Sequence, residues 1–575
     1  MGNFKFFALG GLGEVGKNMY VFETDHDLYI LDIGSKTPPT EVNGYDSLVS
    51  DYTYVLEHLD KLRGVFISKF GEKSSRAFLR VIRDLKVPFY GSPFTIEAIK
   101  RRYMPFADEE DKDVDFRVMH PEEILEFEDS KIEAFGVTTS VPDSYGFAIK
   151  INTGDDDNPS WKNCVYLPDC DLDQNMWGHF RTDFKSITRI ADEGVLVYFS
   201  SSSGAGKVGH ITTDGSLDLA LRKIMAQEGR TYLLMDAENI SGILQVIDAA
   251  YVQKRRVTII GHKARFLVEL AMELNYTRVN KNLYMPKEVL DDEKRNADDA
   301  VVIIAGDQLD TFHFMEGIAT FQDKHYRLKR TDNVAILLDT PKKFEKELAI
   351  TWNNIWFNNA KILDFDINLM PVPMAGAEDL KLLYSLFSPE YVVPISGDYR
   401  MLKAQNDLLY DFGFKKENVI IIDNGDVVEY KDGSIRVTDD PIPTKEILFG
   451  NAADSDINDF VAREREALTK EGFVVISGMI NLKERELYGN IEIVTSGFLP
   501  EYGQEEEFEG LKDTFKDIVK EHLRMRKVDY KDLRQELKNE LSKKILKDTK
   551  KRPILIPVII DISGTTATVA DWYTE

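Results

Sequence analysis

The sequence predicts an α/β protein with a parallel sheet, followed by a small α+β module. The first observation is a series of short apolar runs, each followed by a helix-like segment, such as residues 231–235 before the segment 240–253. The second is a Pro-, Gly- and Asp-rich break near residues 440–460, beyond which the pattern changes. Strands that alternate with helices are typical of βαβ units, which build parallel sheets covered by helices.

The strands of the first part are predicted from short apolar runs bounded by turn residues. They lie at residues 20–22, 28–31, 64–67, 194–199, 231–235, 256–260 and 300–304.

Beyond the break, the sequence predicts strands at residues 473–477, 490–494 and 554–562, with two amphipathic helices before the last strand. The acidic run 505–507 suits a helix start, and Asp529 is the expected cap of the second helix. A polar tail follows from residue 564. The apolar faces of the two helices carry Phe508, Leu511, Phe515, Ile518 and Val519, and then Leu533, Leu537, Leu541 and Ile545.

The composition bounds the class of protein. The chain has 575 residues, a formal net charge of −26 and two cysteines. Two cysteines cannot form a disulfide framework or a cysteine-rich zinc site, and they fit a reducing compartment. No apolar run approaches the about 20 residues that span a bilayer, and the first residues do not resemble a signal peptide, so we expect a cytoplasmic protein. The negative charge argues against tight autonomous binding of nucleic acid, although it leaves room for a local basic groove.

Three glycines near the N-terminus form a pattern that has two interpretations. Gly11, Gly13 and Gly16 match the dinucleotide fingerprint G-x-G-x-x-G, which requires a following helix whose N-terminus holds a pyrophosphate. Here the residues after Gly16 continue as a strand. The pattern therefore indicates a glycine-rich hairpin between the first two strands.

That hairpin begins a resemblance to a known family. Residues 10–20 and 30–34 resemble the opening of ribonuclease J, a metallo-β-lactamase-fold nuclease with an inserted β-CASP domain. The resemblance continues in the same order at residues 142–144, 245–250, 394–401, 423–429 and 551–557.

The resemblance implies a domain organisation. It implies an α/β fold with a four-layer αββα metallo-β-lactamase core, a Rossmann-like β-CASP insertion and a small C-terminal α+β domain. The expected boundaries are 1–205 and 365–440 for the two parts of the core, 206–364 for the β-CASP domain, 441–464 for a linker and 465–575 for a C-terminal assembly domain.

The resemblance also locates the family's metal site. The family's chemistry uses two zinc or manganese ions, held by an H-x-H-x-D-H motif and by three later ligands. The seven corresponding positions hold Lys69, Gly71, Lys73, Ser74, Thr139, Asp169 and Ser396 here. Because a single carboxylate cannot hold a metal pair and Lys73 would repel one, we expect no intact catalytic residue, no metal ion and no other cofactor.

Substrate-handling motifs of the family are altered as well. Ser201 and Lys207 stand where the family has an aspartate and an arginine at the start of the β-CASP domain, and Ser241 stands for a histidine. These three residues are the candidates for substrate binding. The family's phosphate-gripping H-V-S-G-H segment corresponds to residues 370–374, which lack both imidazoles and the glycine.

The remaining histidines and carboxylates are the only candidates in the sequence for a rebuilt metal site. The nine histidines form no H-x-H, H-x-x-x-H or H-E-x-x-H pair. Asp32, Asp143 and Asp169 are the leftover carboxylates, which either form a weak magnesium site or orient loops by accepting backbone N–H bonds. We favour the second interpretation.

The function implied by the resemblance is RNA decay and ribosomal RNA maturation. Some members of the family are second, less active paralogues that pair with an active one, and this chain resembles that type. Three hypotheses remain: a non-catalytic partner of an active ribonuclease J paralogue, meeting RNA through a homo- or hetero-oligomer; a weakly active metal-dependent ribonuclease; and an independent RNA-docking or scaffold module.

Overall fold

The fold comes from a computed structural model of the chain. It describes residues 2–37, 47–154, 159–172, 178–210, 216–277, 299–306, 308–338, 344–363, 374–449, 471–498, 504–525, 528, 530–549, 551–563 and 568–569. By internal contacts the chain divides into two compact units, Met1–Lys36 with Leu48–Ile447, and Thr37–Ser47 with Leu448–Glu575. Within the described ranges, no helix is long and apolar enough to cross a membrane.

The first unit begins with a segment in which strands predominate. Its strands are β1 Phe4–Gly10, β2 Met19–Thr24, β3 Leu28–Leu31, β4 Ser47–Ser50, β5 Leu62–Phe66, β6 Phe89–Gly91, β7 Phe116–Val118, β8 Ile124–Glu126, β9 Ser130–Val137, β10 Ser144–Asn152, β11 Trp161–Leu167 and β12 Val195–Ser201. Its helices are α1 Thr53–Leu56, α2 Glu72–Ser75, α3 Phe78–Asp84, α4 Pro93–Arg102 and α5 Phe184–Asp192.

Strands and helices then alternate, as the sequence predicts. The strands are β13 Thr231–Asp236, β14 Arg256–Ile260, β15 Ala300–Gly306, β16 Asn333–Ile336 and β17 Lys361–Ile362. The helices are α6 Ser216–Met225, α7 Ile240–Val252, α8 His262–Glu273, α9 Gln308–Ala319 and α10 Glu345–Phe357.

The chain then returns to the first sheets. The elements are α11 Ala377–Phe387, β18 Tyr391–Ile395, α12 Tyr399–Phe412, β19 Val427–Lys431, β20 Ser434–Val437 and β21 Glu446–Phe449.

Two sheets form the centre of the first unit. The eight-stranded sheet has the order β20-β19-β1-β2-β3-β5-β6-β7, and the six-stranded sheet has the order β18-β12-β11-β10-β9-β8. Their facing side chains form one core, in which the rings of Phe6 and Phe199 stack with centroids 3.7 Å apart. Helices α5, α11 and α12 pack on the outer face of the six-stranded sheet. Residues of α1 and α3 contact the eight-stranded sheet, for example Phe78 against Phe89. The αββα core predicted from the resemblance is confirmed.

The Rossmann-like domain is an insertion in this core. Its five strands are all parallel, in the order β14-β15-β13-β16-β17. Strands β12 and β18 flank it in sequence and pair with each other in parallel register, Val197 opposite Tyr391. A chain that leaves a sheet at one strand and re-enters it at the adjacent strand encloses an inserted domain.

The second unit contains the predicted α+β module. Strands β22 Phe473–Asn481, β23 Glu486–Ser496, β24 Ile554–Asp561 and β25 Thr568–Val569 form a sheet in the order β23-β22-β24-β25. Helices α13 Gln504–Arg524 and α14 Tyr530–Thr549 contribute to its core the apolar residues that the helical spacing predicts. The predicted cap Asp529, the side chains of residues 505–507, the tail at 570–575 and linker residues 450–464 lie outside the described residues.

Candidate functional site

The slot that holds the metal ligands in the family follows β5. Strands β3 and β5 are parallel neighbours, so the residues after both strands meet at one edge of the eight-stranded sheet. Asp32, which follows β3, is fully buried and accepts hydrogen bonds from the Ser68 backbone N–H (2.8 Å), the Ser68 hydroxyl (2.9 Å) and the Tyr166 hydroxyl (2.8 Å). Burial is the main cause that raises the pKa of Asp32 to about 7, although these bonds act against the rise.

Lys69 and Asp169 form an ion pair in this slot. The side chain of Lys69 is almost buried and that of Asp169 is 23% exposed. Burial disfavours the charged ammonium, but the attraction of Asp169 outweighs it and holds the pKa of Lys69 above its usual value. The one family carboxylate that survives therefore already has a cationic partner within the protein.

Gly71 lies against a residue of the inserted domain. A carboxylate oxygen of Glu238, just before α7, accepts the backbone N–H of Glu72 at 2.8 Å and pairs with Lys263 at 2.8 Å. A Cβ atom at position 71 would lie 2.8 Å from the other carboxylate oxygen of Glu238. The carboxylate of Glu238 thus occupies the space that a larger side chain at position 71 would need.

Two further altered positions, Thr139 and Ser396, are satisfied by hydrogen bonds within the protein. The Thr139 hydroxyl is 2.6 Å from that of Ser144 and accepts the Val141 N–H at 3.1 Å, closing its own turn. Ser396 contacts the Tyr20 hydroxyl through both its backbone N–H (3.0 Å) and its side chain (3.2 Å). Neutral hydroxyls joined in this way hold loops in place and carry no charge with which to bind a cation.

The structure brings most of the predicted positions together. Lys69, Lys73, Ser74, Asp169 and Ser396 line one small cleft, and Gly71 and Thr139 are not among its lining residues. Its other lining residues are Val15, Gly16, Asn18, Pro168 and Ser203.

The three candidates for substrate binding lie outside this cleft lining. Ser201 is nearly buried, and its hydroxyl is 3.4 Å from that of Ser203. Lys207 is exposed on the loop after β12, where its carbonyl accepts the Ala377 N–H. Ser241 is buried in the first turn of α7 and donates its backbone N–H to the Ser140 carbonyl at 3.0 Å. Their role in substrate binding stays a prediction. Of the predicted phosphate segment, residues 370–373 lie outside the described residues.

Asp143 takes part in a cluster that sequence reasoning did not find. Nδ1 of His179 lies 2.7 Å from its carboxylate, and the rings of His179 and Tyr276 have centroids 4.3 Å apart. Burial, with the hydrogen bond to Asp143, raises the pKa of Tyr276. Glu238 and Tyr276 both belong to the inserted segment, far in sequence from the residues they contact, and no local pattern indicates such contacts.

Comparison with known proteins gives consistent matches. The family model of the ribonuclease J β-CASP domain matches residues 228–340, and that of the ribonuclease J C-terminal domain matches residues 460–562. Ribonuclease J 2 of Staphylococcus aureus NCTC 8325 is 28% identical over 559 residues, covering 97% of this chain and 98% of that protein. Ribonuclease J 2 of Staphylococcus epidermidis RP62A is 27% identical over 563 residues, with the same coverage. A solved protein of unknown function from Enterococcus faecalis V583 aligns with a TM-score of 0.49 and 14% identity, over 76% of this chain and 100% of that one.

The matches correct one prediction. The expectation that the chain uses no metal ion or other cofactor is wrong, because metallo-β-lactamase and β-CASP proteins use metal ions and the β-CASP match implies the same here. The family's two-metal arrangement nevertheless does not fit the residues in the slot, where an ammonium group pairs with the single carboxylate. Among the described residues, no group of three or more His, Cys, Asp or Glu side chains is placed to hold a metal ion.

Proposed function

Because this chain belongs to the ribonuclease J family, we propose that it acts in RNA decay and ribosomal RNA maturation as a non-catalytic partner of an active ribonuclease J paralogue. The observation that carries the proposal is the Lys69–Asp169 ion pair in the family's ligand slot. The framework of core, β-CASP domain and C-terminal domain is retained, whereas the polar positions of the slot are replaced. A protein that keeps the family's fold but lacks the metal ligands is suited to pair with an active paralogue. We propose that this pairing takes place in the cytoplasm.

The test combines degradation and co-purification. The full chain is purified alone, and it is also co-expressed and purified with an active paralogue from the same organism. Each sample is incubated with 5′-monophosphorylated RNA and with Zn²⁺, Mn²⁺ or Mg²⁺. We expect no degradation by the chain alone, and a stable hetero-oligomer in which the paralogue degrades RNA. Metal-dependent degradation by the chain alone, or failure of the two chains to co-purify, would contradict the proposal.

A second candidate function is a weakly active metal-dependent ribonuclease. Metal use throughout the family and the survival of Asp169 favour it. Asp169→Asn separates the two candidates in the same assay. Residual activity through a rebuilt metal site requires this carboxylate and should disappear in the variant, whereas a non-catalytic partner should support the activity of the hetero-oligomer equally well with either residue.

A further inference from the structure

Three exposed aromatic residues lie close together on the inserted domain. Phe321 follows α9, and Trp356 and Phe357 are the last two residues of α10. The side-chain N–H of Asn358 donates to the Ala319 carbonyl at 2.9 Å, which joins the ends of the two helices. The three aromatic residues are 51%, 64% and 83% exposed. Because large apolar side chains lose favourable burial in water, an aromatic group of this kind indicates a surface that another molecule covers.

The loop that connects these aromatic residues to β16 is basic. Tyr326 and Leu328 are buried, and the residues that alternate with them face the solvent. The exposed cations of the loop are Lys324, Arg327, Lys329 and Arg330. In a chain with a formal net charge of −26, such a loop is a local exception.

The acidic residues of the loop are used inside the domain. Asp323 accepts the backbone N–H groups of His325 and Tyr326, each at 2.7 Å, and so closes a turn. Asp332 pairs with Arg230 at 2.6 Å, and both of these side chains are fully buried. The two carboxylates therefore support the turn and the core, and the outer surface of the loop keeps its positive charge.

The aromatic residues and the basic loop share the edge of the parallel sheet that is remote from the cleft. The loop leads into β16 and α10 leads into β17, so both lie at the amino ends of strands. Glu238 follows the carboxyl end of β13 and contacts the Glu72 backbone at the ligand slot. Because all strands of a parallel sheet run in the same direction, the full length of the strands separates this surface from the slot.

We propose that this surface docks an acidic, amphipathic segment of a protein partner. The surface, here called the Trp356 surface, comprises Phe321, Trp356, Phe357, Lys324, Arg327 and Arg330. Apolar side chains of the segment pack on the three rings, and its carboxylates pair with the cations. Tryptophan and arginine are the residue types that most often dominate the binding energy of protein interfaces, and complementary charge selects the partner. The inference goes beyond the proposed function, because it concerns a further partner at a surface outside the ligand slot and the C-terminal module.

The probe for the test is a phage-displayed library of random peptides, selected on the immobilised full chain. We expect the enriched peptides to combine Asp or Glu with Leu, Phe or Trp. A fluorescein-labelled copy of the most enriched peptide is then titrated with the full chain and its variants by fluorescence anisotropy. Trp356→Ala should weaken binding about tenfold or more, as for a central interface residue. Arg327→Gln should weaken binding and reduce its dependence on salt concentration.

Tyr251→Ala is the matched control. Tyr251 is an exposed aromatic residue near the end of α7, which leads into β14 at the edge of the sheet opposite β17. Its variant should bind the peptide as tightly as the unchanged protein does. The proposal is overturned if the selection yields no binding peptide, if the enriched peptides lack acidic residues, or if Trp356→Ala binds the peptide like the unchanged protein.

Two further measurements test other occupants of the Trp356 surface. A fluorescein-labelled single-stranded RNA of uridines is titrated with the full chain and with Trp356→Ala, and weaker binding by the variant would assign the surface to nucleic acid. Size-exclusion chromatography with light scattering compares the masses of the same two proteins, and a lower mass of the variant would assign the surface to a second copy of the chain. Either result overturns the proposal. Neither the RNA degradation assay nor co-purification with the active paralogue depends on these outcomes, so failure here is distinct from failure of the proposed function.

Discussion

The three leftover aspartates of the sequence, Asp32, Asp143 and Asp169, have three different environments. Asp32 accepts hydrogen bonds inside the protein, Asp143 contacts His179, and Asp169 pairs with Lys69. From the sequence we could predict that the other metal ligands are replaced, because the flanking blocks define each position. We could not predict the new partners, since Lys69 and Asp169 are 100 positions apart. Backbone orientation by Asp32 was the interpretation we favoured, and its bond from the Ser68 N–H agrees with it.

Removing the cation from the ion pair should destabilise the protein. Lys69→Met leaves Asp169 without its partner in a partly buried position, and we expect a loss of about 1–3 kcal/mol, less than for a fully buried charge. Thermal melting of Lys69→Met, Asp169→Asn and the double variant measures the coupling. The double variant should melt above Lys69→Met, since it has no unpaired charge. If the destabilisation in the double variant equals the sum of the two single destabilisations, the interaction between Lys69 and Asp169 does not stabilise the protein.

Asp32 should make stability depend on pH. The folded protein keeps the Asp32 proton up to about pH 7, whereas an unfolded chain releases it near pH 4. Between these values the folded state binds more protons, so stability falls as pH rises through this window. Asp32→Asn removes this component, and asparagine tolerates the positive φ of 62° at this position.

The measurement is the melting temperature at pH 5 and pH 8. As the pH rises, the free energy of unfolding of the variant should increase relative to that of the unchanged protein. The increase should reach up to about 1.4 kcal/mol for each unit of pKa shift. An equal difference between the two proteins at both pH values would show that Asp32 does not titrate in this range.

At the scale of elements, the regular strands and helices were predictable and their contacts were not. The runs at 231–235, 256–260 and 300–304 became β13, β14 and β15 because strands of a parallel sheet are apolar along their length. Glu238 lies two residues before the start of α7, and no unusual local pattern marks it. Its partner, the backbone N–H of Glu72, is 166 positions away.

The Glu238 contact should restrain α2. In Glu238→Ala the Glu72 N–H loses its acceptor, and we expect faster hydrogen–deuterium exchange in residues 71–76 than in the unchanged protein. Glu238→Gln keeps an acceptor oxygen and loses the charge that pairs with Lys263, so its exchange should lie closer to that of the unchanged protein. Unchanged exchange in Glu238→Ala would mean that the short helix is held by other contacts.

At the scale of the whole molecule, the C-terminal module has a structural feature that suits assembly. Its helices α13 and α14 cover one face of the sheet. On the other face, Met479, Val494 and Ile556 are 37%, 60% and 40% exposed, at alternate positions of three adjacent strands. The positions of these strands were predictable from the sequence, but which of the two sheet faces the helices cover was not. An apolar sheet face with this exposure favours burial against a partner.

Removing residues 455–575 should therefore abolish pairing with an active paralogue while the first unit stays folded. In the full chain, Val494→Lys should weaken the same pairing without loss of the module, because a charge is costly on a sheet face that becomes buried against the partner. Val437→Lys, at an exposed position of β20 in the first unit, is the matched control and should leave the pairing intact. Size-exclusion chromatography with light scattering on each protein mixed with the paralogue measures the outcome. If the shortened chain still elutes as a stable hetero-oligomer, assembly takes place through the first unit and the proposed role of the C-terminal module is wrong.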